Sequence, residues 1–147
     1  MNPPFEVMIA APDLERRQRL SEILVQQGFD PICVSNLKQC HQALASTRVT
    51  LVFCDARLPD GKYGDLIAAY RQAGQRPRVV LISPDAGWDE FREAMRQGVS
   101  DVIGWPCRPT DVEWMVIRAK RDELSRSKDA ASAFAKRSEL ERRDSAT

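Results

Sequence analysis

A chain of 147 residues, 43% hydrophobic and 29% charged, is long enough to bury one sizeable core and short enough to form a single domain. Its net charge of +1 gives no overall field to hold nucleic acid or an anionic membrane, and nine Lys/Arg against six Asp/Glu from Arg118 onward is too mild an excess to argue otherwise. No run of eighteen apolar residues exists, and "MNPPFEVMIAAPD" lacks the basic start and long apolar core of a signal peptide, so a cytoplasmic protein is expected.

In chain order, "FEVMIA" from Phe5 reads as a strand, and Pro12 or Asp13 then opens a helix that stops at Gly28. "PICV" from Pro31 is the second strand, followed by a helical segment that contains Cys40 and His41. "VTLVFC" from Val49 is the third strand, and it ends on Asp55, an acid at the close of a run too apolar to welcome a charge. Leu66, Ala69, Tyr70 and Ala73 repeat with helical spacing up to Gly74. "RVVLI" from Arg78 is the fourth strand, and a helix carrying Trp88 and Phe91 runs to Gly98. "DVIG" from Asp101 is the fifth strand, and Val112, Met115, Val116 and Ala119 mark the last helix.

The strand runs are continuous rather than alternating, as expected of strands covered on both faces. Five strand–helix alternations imply parallel strands joined by right-handed crossovers, which is a three-layer α/β/α sandwich around a doubly wound five-stranded parallel sheet. Gly28, Gly74 and Gly98 fall where left-handed helix C-caps belong. The domain is expected over residues 5–125. The charged, Ala-rich stretch 126–147, with Phe134 and Leu140 as its large apolar residues, is expected to be a helical extension or disordered.

Cys33, Cys40, Cys54 and Cys107 show no CxxC spacing and read as structural thiols. His41 stands away from the strand ends without an acidic partner and reads as a solvated helix position. Phosphate-binding loops need clustered glycines, and "AAPDLERRQ" after the first strand has none, which argues against a flavodoxin-like ligand binder, the alternative from another functional class. Trp88, Phe91, Trp105 and Trp114 are read mainly as core residues, with Trp88 and Trp105 equally suited to an interface.

The order of elements, Asp55 closing the third strand and "DARLPDG" from Asp55 onward resemble the receiver domain of bacterial response regulators over roughly residues 5 to 125. The resemblance implies the receiver topology, a phosphoacceptor at Asp55 and a phosphoryl-contacting hydroxyl at Ser83. It implies a Mg²⁺ held by an acidic pair after the first strand, here Ala11 and Pro12, neither of which ligates a metal. The family's lysine falls on Trp105, with its following proline kept as Pro106, and the bond between them is expected to be cis. The position after Ser83, usually small, is Pro84, and the aromatic switch position of the fifth strand is Val102.

Asp13, one position past the expected pair, is the carboxylate nearest to standing in for the metal ligands, but an Asp before "LERRQRL" is a favoured helix N-cap and that reading is preferred. Arg57 or Arg108 is expected to reach Asp55 in a salt bridge. The resulting expectation is a non-enzymatic, stand-alone receiver of a two-component phosphorelay. It is atypical, with Mg²⁺-dependent phosphorylation at Asp55 weakened or lost, no cofactor unless the metal site is rescued, and signalling by protein contact. Expected partners are a histidine kinase or a downstream output protein, or a second copy in a homodimer, with no nucleic acid and no membrane. About twenty residues past the last helix are too few for a helix-turn-helix output module. The alternative is a true phosphoacceptor using Asp55 and Ser83.

Overall fold

A computed structural model of the protein describes residues 5–84 and 87–126. Of the expected tail, 126–147, residues 127–147 lie outside the described residues. Five strands, β1 (Val7–Ala10), β2 (Ile32–Val34), β3 (Leu51–Asp55), β6 (Arg78–Ser83) and β7 (Asp101–Gly104), form one parallel sheet in the order β2-β1-β3-β6-β7. Between β3 and β6 the short antiparallel pair β4 (Arg57–Leu58) and β5 (Gly61–Lys62) forms a separate ladder.

Helices α1 (Leu14–Gln26), α2 (Leu37–Ser46), α3 (Tyr63–Gln72) and α4 (Trp88–Arg96) connect the strands, and α5 spans residues 109–126. Successive strand residues point to opposite faces and so build two cores. Leu51 and Phe53 of β3 join Leu20, Ile23 and Leu24 of α1 and Val112 and Val116 of α5. Val52 and Cys54 join Leu37 of α2, Leu66 and Tyr70 of α3, and Ala94 of α4. The three-layer sandwich expected from the alternation is the fold observed.

Gly28, Gly74 and Gly98 all have positive φ, as their C-cap positions require. Gly98 is the most constrained, because φ is +103° and an added Cβ would lie 2.6 Å from the Arg71 guanidinium. Gly98→Ala is expected to cost about 1–2 kcal/mol, read as a lower urea midpoint at unchanged m-value.

The "DARLPDG" stretch is built into its surroundings. Leu58 is buried, and Asp60 accepts hydrogen bonds from the Leu37 and Lys38 N–H groups at 2.7 and 3.1 Å, so a residue from the β4–β5 turn caps α2 across the loop. These hydrogen bonds, Leu37's foremost, hold the Asp60 carboxyl below its ordinary range. Gly61 has no room for a side chain, since a Cβ there would meet Leu37 at 2.2 Å. No helix among the described residues is long and apolar enough to cross a membrane.

Candidate functional site at the carboxyl rim

The strand registers bring three loops to one rim. Ala10 pairs with Cys54, Asp55 with Ile82, and Ser83 with Gly104, so Ala11, Asp55, Ser83 and Trp105 all emerge at the carboxyl edge of the sheet. The Trp105–Pro106 peptide bond is cis, as expected. Asp55 has the same parity as Leu51 and Phe53, and its side chain therefore turns toward the α1 and α5 layer. Ser83, 2% exposed, shares the parity of Val79 and Leu81 on the opposite face, and it is not among the hydrogen-bond partners of Asp55 in the described residues.

What meets Asp55 on its own face is Arg16. The Nη1 of Arg16 donates to Asp55 Oδ1 at 2.7 Å, and the two side chains are only 18% and 6% exposed. The other side of the guanidinium lies over the Trp105 ring, 5.4 Å from its centroid. Trp105 thus helps seat a cation supplied from another element. The Arg16 Nε is buried with no hydrogen-bond partner among the described residues, so the ion pair is incompletely satisfied. Burial pushes the Asp55 carboxyl above its ordinary range. The Arg16 hydrogen bond and charge pull it back part of the way, and Asp13 adds a smaller upward push.

Arg57 and Arg108, the partners expected from the sequence, are not the ones used. Arg57 is exposed on β4, and Arg108 turns outward to Asp111 at 3.7 Å with 82% of its side chain exposed. Strand parity is the reason, because Asp55 faces α1 rather than its own following loop. The signal was present in the sequence: Arg16 precedes Leu20 by one helical turn and Leu24 by two, which places it on the buried stripe of α1.

The β1–α1 loop is closed by similar means. Asp13 is the N-cap of α1, with its Oδ1 accepting from the Arg16 N–H at 3.1 Å, so the capping reading holds. Arg17 Nη1 donates to the Ala11 carbonyl at 2.7 Å.

A Mg²⁺ ion needs near-octahedral oxygen ligation from carboxylates and waters. The residues at this rim do not fit one. Ala11 is a fully buried methyl, Pro12 has no donor atom in its side chain, Asp13 is engaged as a cap, and Asp55 faces a guanidinium. Among the described residues no group of three or more His, Cys, Asp or Glu is placed to hold a metal.

The remaining sequence candidates divide. His41 is exposed on α2, and Cys40, Cys54 and Cys107 are buried free thiols while Cys33 is exposed. Val102 is half-buried against the α2–α4 core. Two tryptophans lie outside the core: Trp88 is 70% exposed and stacked on Phe91 at 5.7 Å, and Trp114 is 48% exposed beside Arg118 and Arg121.

Known proteins resemble this chain in sequence and in fold. No protein-family model matches the chain. It is 30% identical over 126 residues to the transcriptional regulatory protein CitB of Klebsiella pneumoniae, across 81% of this chain and 54% of that protein. It is 28% identical over 137 residues to the aerobic respiration control protein ArcA of Escherichia coli K12, across 92% of this chain and 55% of that one. The signal receiver domain of an HD domain-containing protein from Pseudomonas fluorescens Pf-5 superposes with a TM-score of 0.77 at 20% identity, covering 87% of this chain and 95% of that one. The chain has the receiver-domain fold and resembles response regulators in sequence. The chain spans about half the length of the curated relatives named here.

Proposed function

We propose that this receiver domain serves two-component signalling through protein contact, with phosphoryl transfer to Asp55 weakened or lost. The observation that carries the reading is the buried ion pair between Arg16 and Asp55, roofed by Trp105, at the place where the family keeps a divalent cation and a lysine.

Attack of a carboxylate on a phosphoryl group brings negative charge to negative charge, and its acceleration comes mainly from positioning and from cations that stabilise the transition state. Two unit charges 4 Å apart interact by roughly 4 kcal/mol at an effective dielectric of 20, and about 1.4 kcal/mol is tenfold in rate, so losing the metal and the lysine slows transfer by orders of magnitude. Arg16 does not replace them. Its charge is already committed to the nucleophile, which it neutralises in the resting state. With 6% of its side chain exposed, Asp55 offers little surface to a phosphodonor.

The test is exposure of the protein to a small phosphodonor with Mg²⁺, followed by intact-mass measurement of wild type and Asp55→Asn. No Asp55-dependent gain of a phosphoryl group is expected over times that saturate an ordinary receiver. A gain that disappears in Asp55→Asn would install the alternative reading, a working phosphoacceptor. The partner is expected to be a protein, a histidine kinase or an output protein, recognised through surface contacts that do not depend on phosphorylation.

A further inference from the structure

Three side chains from three elements meet at the rim. Asp55 closes β3, Arg16 reaches it from α1, and Trp105 stands in the loop that joins β7 to α5. The Arg16 guanidinium is shared between the other two, with Nη1 donating to Asp55 Oδ1 at 2.7 Å and the guanidinium carbon lying over the Trp105 ring, 5.4 Å from its centroid. Trp105 itself is half-buried, packed against the core that α1 and α5 share.

The two grips on the guanidinium are unequal. The bond to Asp55 is charge-assisted, and among the described residues Asp55 is the carboxylate that Arg16 pairs with. The ring adds a smaller attraction that lasts only while the cation stays over its face. Against both stands the Arg16 Nε, buried without a hydrogen-bond partner among the described residues. Water is within reach of this side chain, which is 18% exposed, and an arginine can swing its head outward while its methylenes keep their apolar contacts. Asp13, exposed at the N-cap of α1 one turn earlier, offers the departing head a carboxylate at the surface.

We propose that Trp105 reads the charge of Asp55 through Arg16: a charged carboxylate keeps the guanidinium over the ring, and a neutralised one releases it, so that the ring becomes accessible at the rim. Once residue 55 carries no charge, Arg16 keeps one ordinary hydrogen bond and one unsatisfied N–H in a largely buried place, and the outward position wins. The consequence is an aromatic surface whose exposure depends on the state of Asp55, and uncovered tryptophans are favoured anchors of protein interfaces. The inference rests on the reading of this rim as one that signals by contact, and it names how the rim is regulated.

The test is acrylamide quenching of tryptophan fluorescence in the full chain carrying Trp88→Phe and Trp114→Phe, which leaves Trp105 alone of the three tryptophans. The replaced rings are 70% and 48% exposed, so the background stays folded. In it, Asp55→Asn is expected to raise the quenching constant toward that of an exposed indole and to shift the emission to the red, with far-UV circular dichroism unchanged. Arg16→Met should raise quenching by uncovering the ring directly, and adding Asp55→Asn to it should raise quenching no further, because the link is already gone. That double variant has no unpaired buried charge and remains a folded comparison even where Arg16→Met alone loses structure. Quenching unchanged in Asp55→Asn, or lower in the double variant than in Asp55→Asn alone, overturns the proposal, as does an Asp55→Asn effect of equal size with and without Arg16. Because no phosphodonor enters these measurements, their failure is distinct from a failure of the weakened-transfer reading, which the intact-mass measurement decides.

Discussion

Replacing Arg16 by Met is expected to destabilise the protein by about 3 kcal/mol at neutral pH, read from urea unfolding. Met keeps most of the buried stem, so the loss comes from the charge rather than from a cavity. Asp55, with 6% of its side chain exposed, is left as an uncompensated carboxylate between β3 and the α1 and α5 layer. The reverse change is milder. In Asp55→Leu the Arg16 side chain, 18% exposed at the rim, can carry its head toward water along an apolar stem. The double variant Arg16→Met with Asp55→Leu should lie within about 1 kcal/mol of wild type, because an apolar pair replaces a buried ion pair that already leaves Arg16 Nε unsatisfied. A double-mutant cycle showing no coupling would mean that the ion pair does not organise this rim.

The same variant carries a pH signature. The Asp55 carboxyl lies above its ordinary value of 3.8, chiefly from burial, and Arg16 supplies both of the opposing pulls. Between 3.8 and the folded value, the folded protein binds more protons than the unfolded chain, so the contribution of Asp55 to stability falls as pH rises through that window. Removing Arg16 takes away the downward pulls and extends the window to higher pH. The deficit of Arg16→Met relative to wild type should therefore shrink as the protein is acidified from pH 7 toward Asp55's window. A deficit independent of pH would show that Asp55 does not carry it.

The contrast between what was legible in the sequence and what was not follows from the range of the interactions. Strand and helix order came from local periodicity, and the three positive-φ glycines from local chain geometry, so both could be read along the chain. The position of Asp55 at the end of β3 was equally local. The partner of Asp55 was not, because it lies 39 residues away on α1 and depends on which face of β3 the carboxylate takes. Parity from Leu51 and Phe53, together with the Arg16–Leu20–Leu24 stripe, would have selected Arg16 over Arg57 and Arg108. The β4–β5 pair was missed because two-residue strands leave no period to detect. The role of Asp60 as a cap for α2 was missed because capping rules address residues adjacent in sequence.

The second large effect is expected far from the rim. Arg78 opens β6 and donates to Asp101 Oδ2 through Nε at 3.1 Å and Nη2 at 2.7 Å, and its Nη1 pairs with Asp122 of α5. Arg118 of α5 donates to the other oxygen of Asp101 at 2.7 Å. Arg78 and Asp101 are 16% and 15% exposed, so this is a largely desolvated cluster that ties the starts of β6 and β7 to the carboxyl half of α5. Arg78→Leu should cost about 3 kcal/mol, because Asp101 loses a fork of two charge-assisted bonds in a site that water only partly reaches. Arg118→Leu should cost less, about 1 kcal/mol, since Arg118 is 42% exposed and solvent screens and replaces much of its contribution. Hydrogen exchange provides the local readout: amides of residues 112–122 should lose protection more in Arg78→Leu than those of α1, because α1 has no member in the cluster. Equal and small losses in both variants would mean that α5 is held by its apolar face alone, through Val112, Met115, Val116 and Ala119.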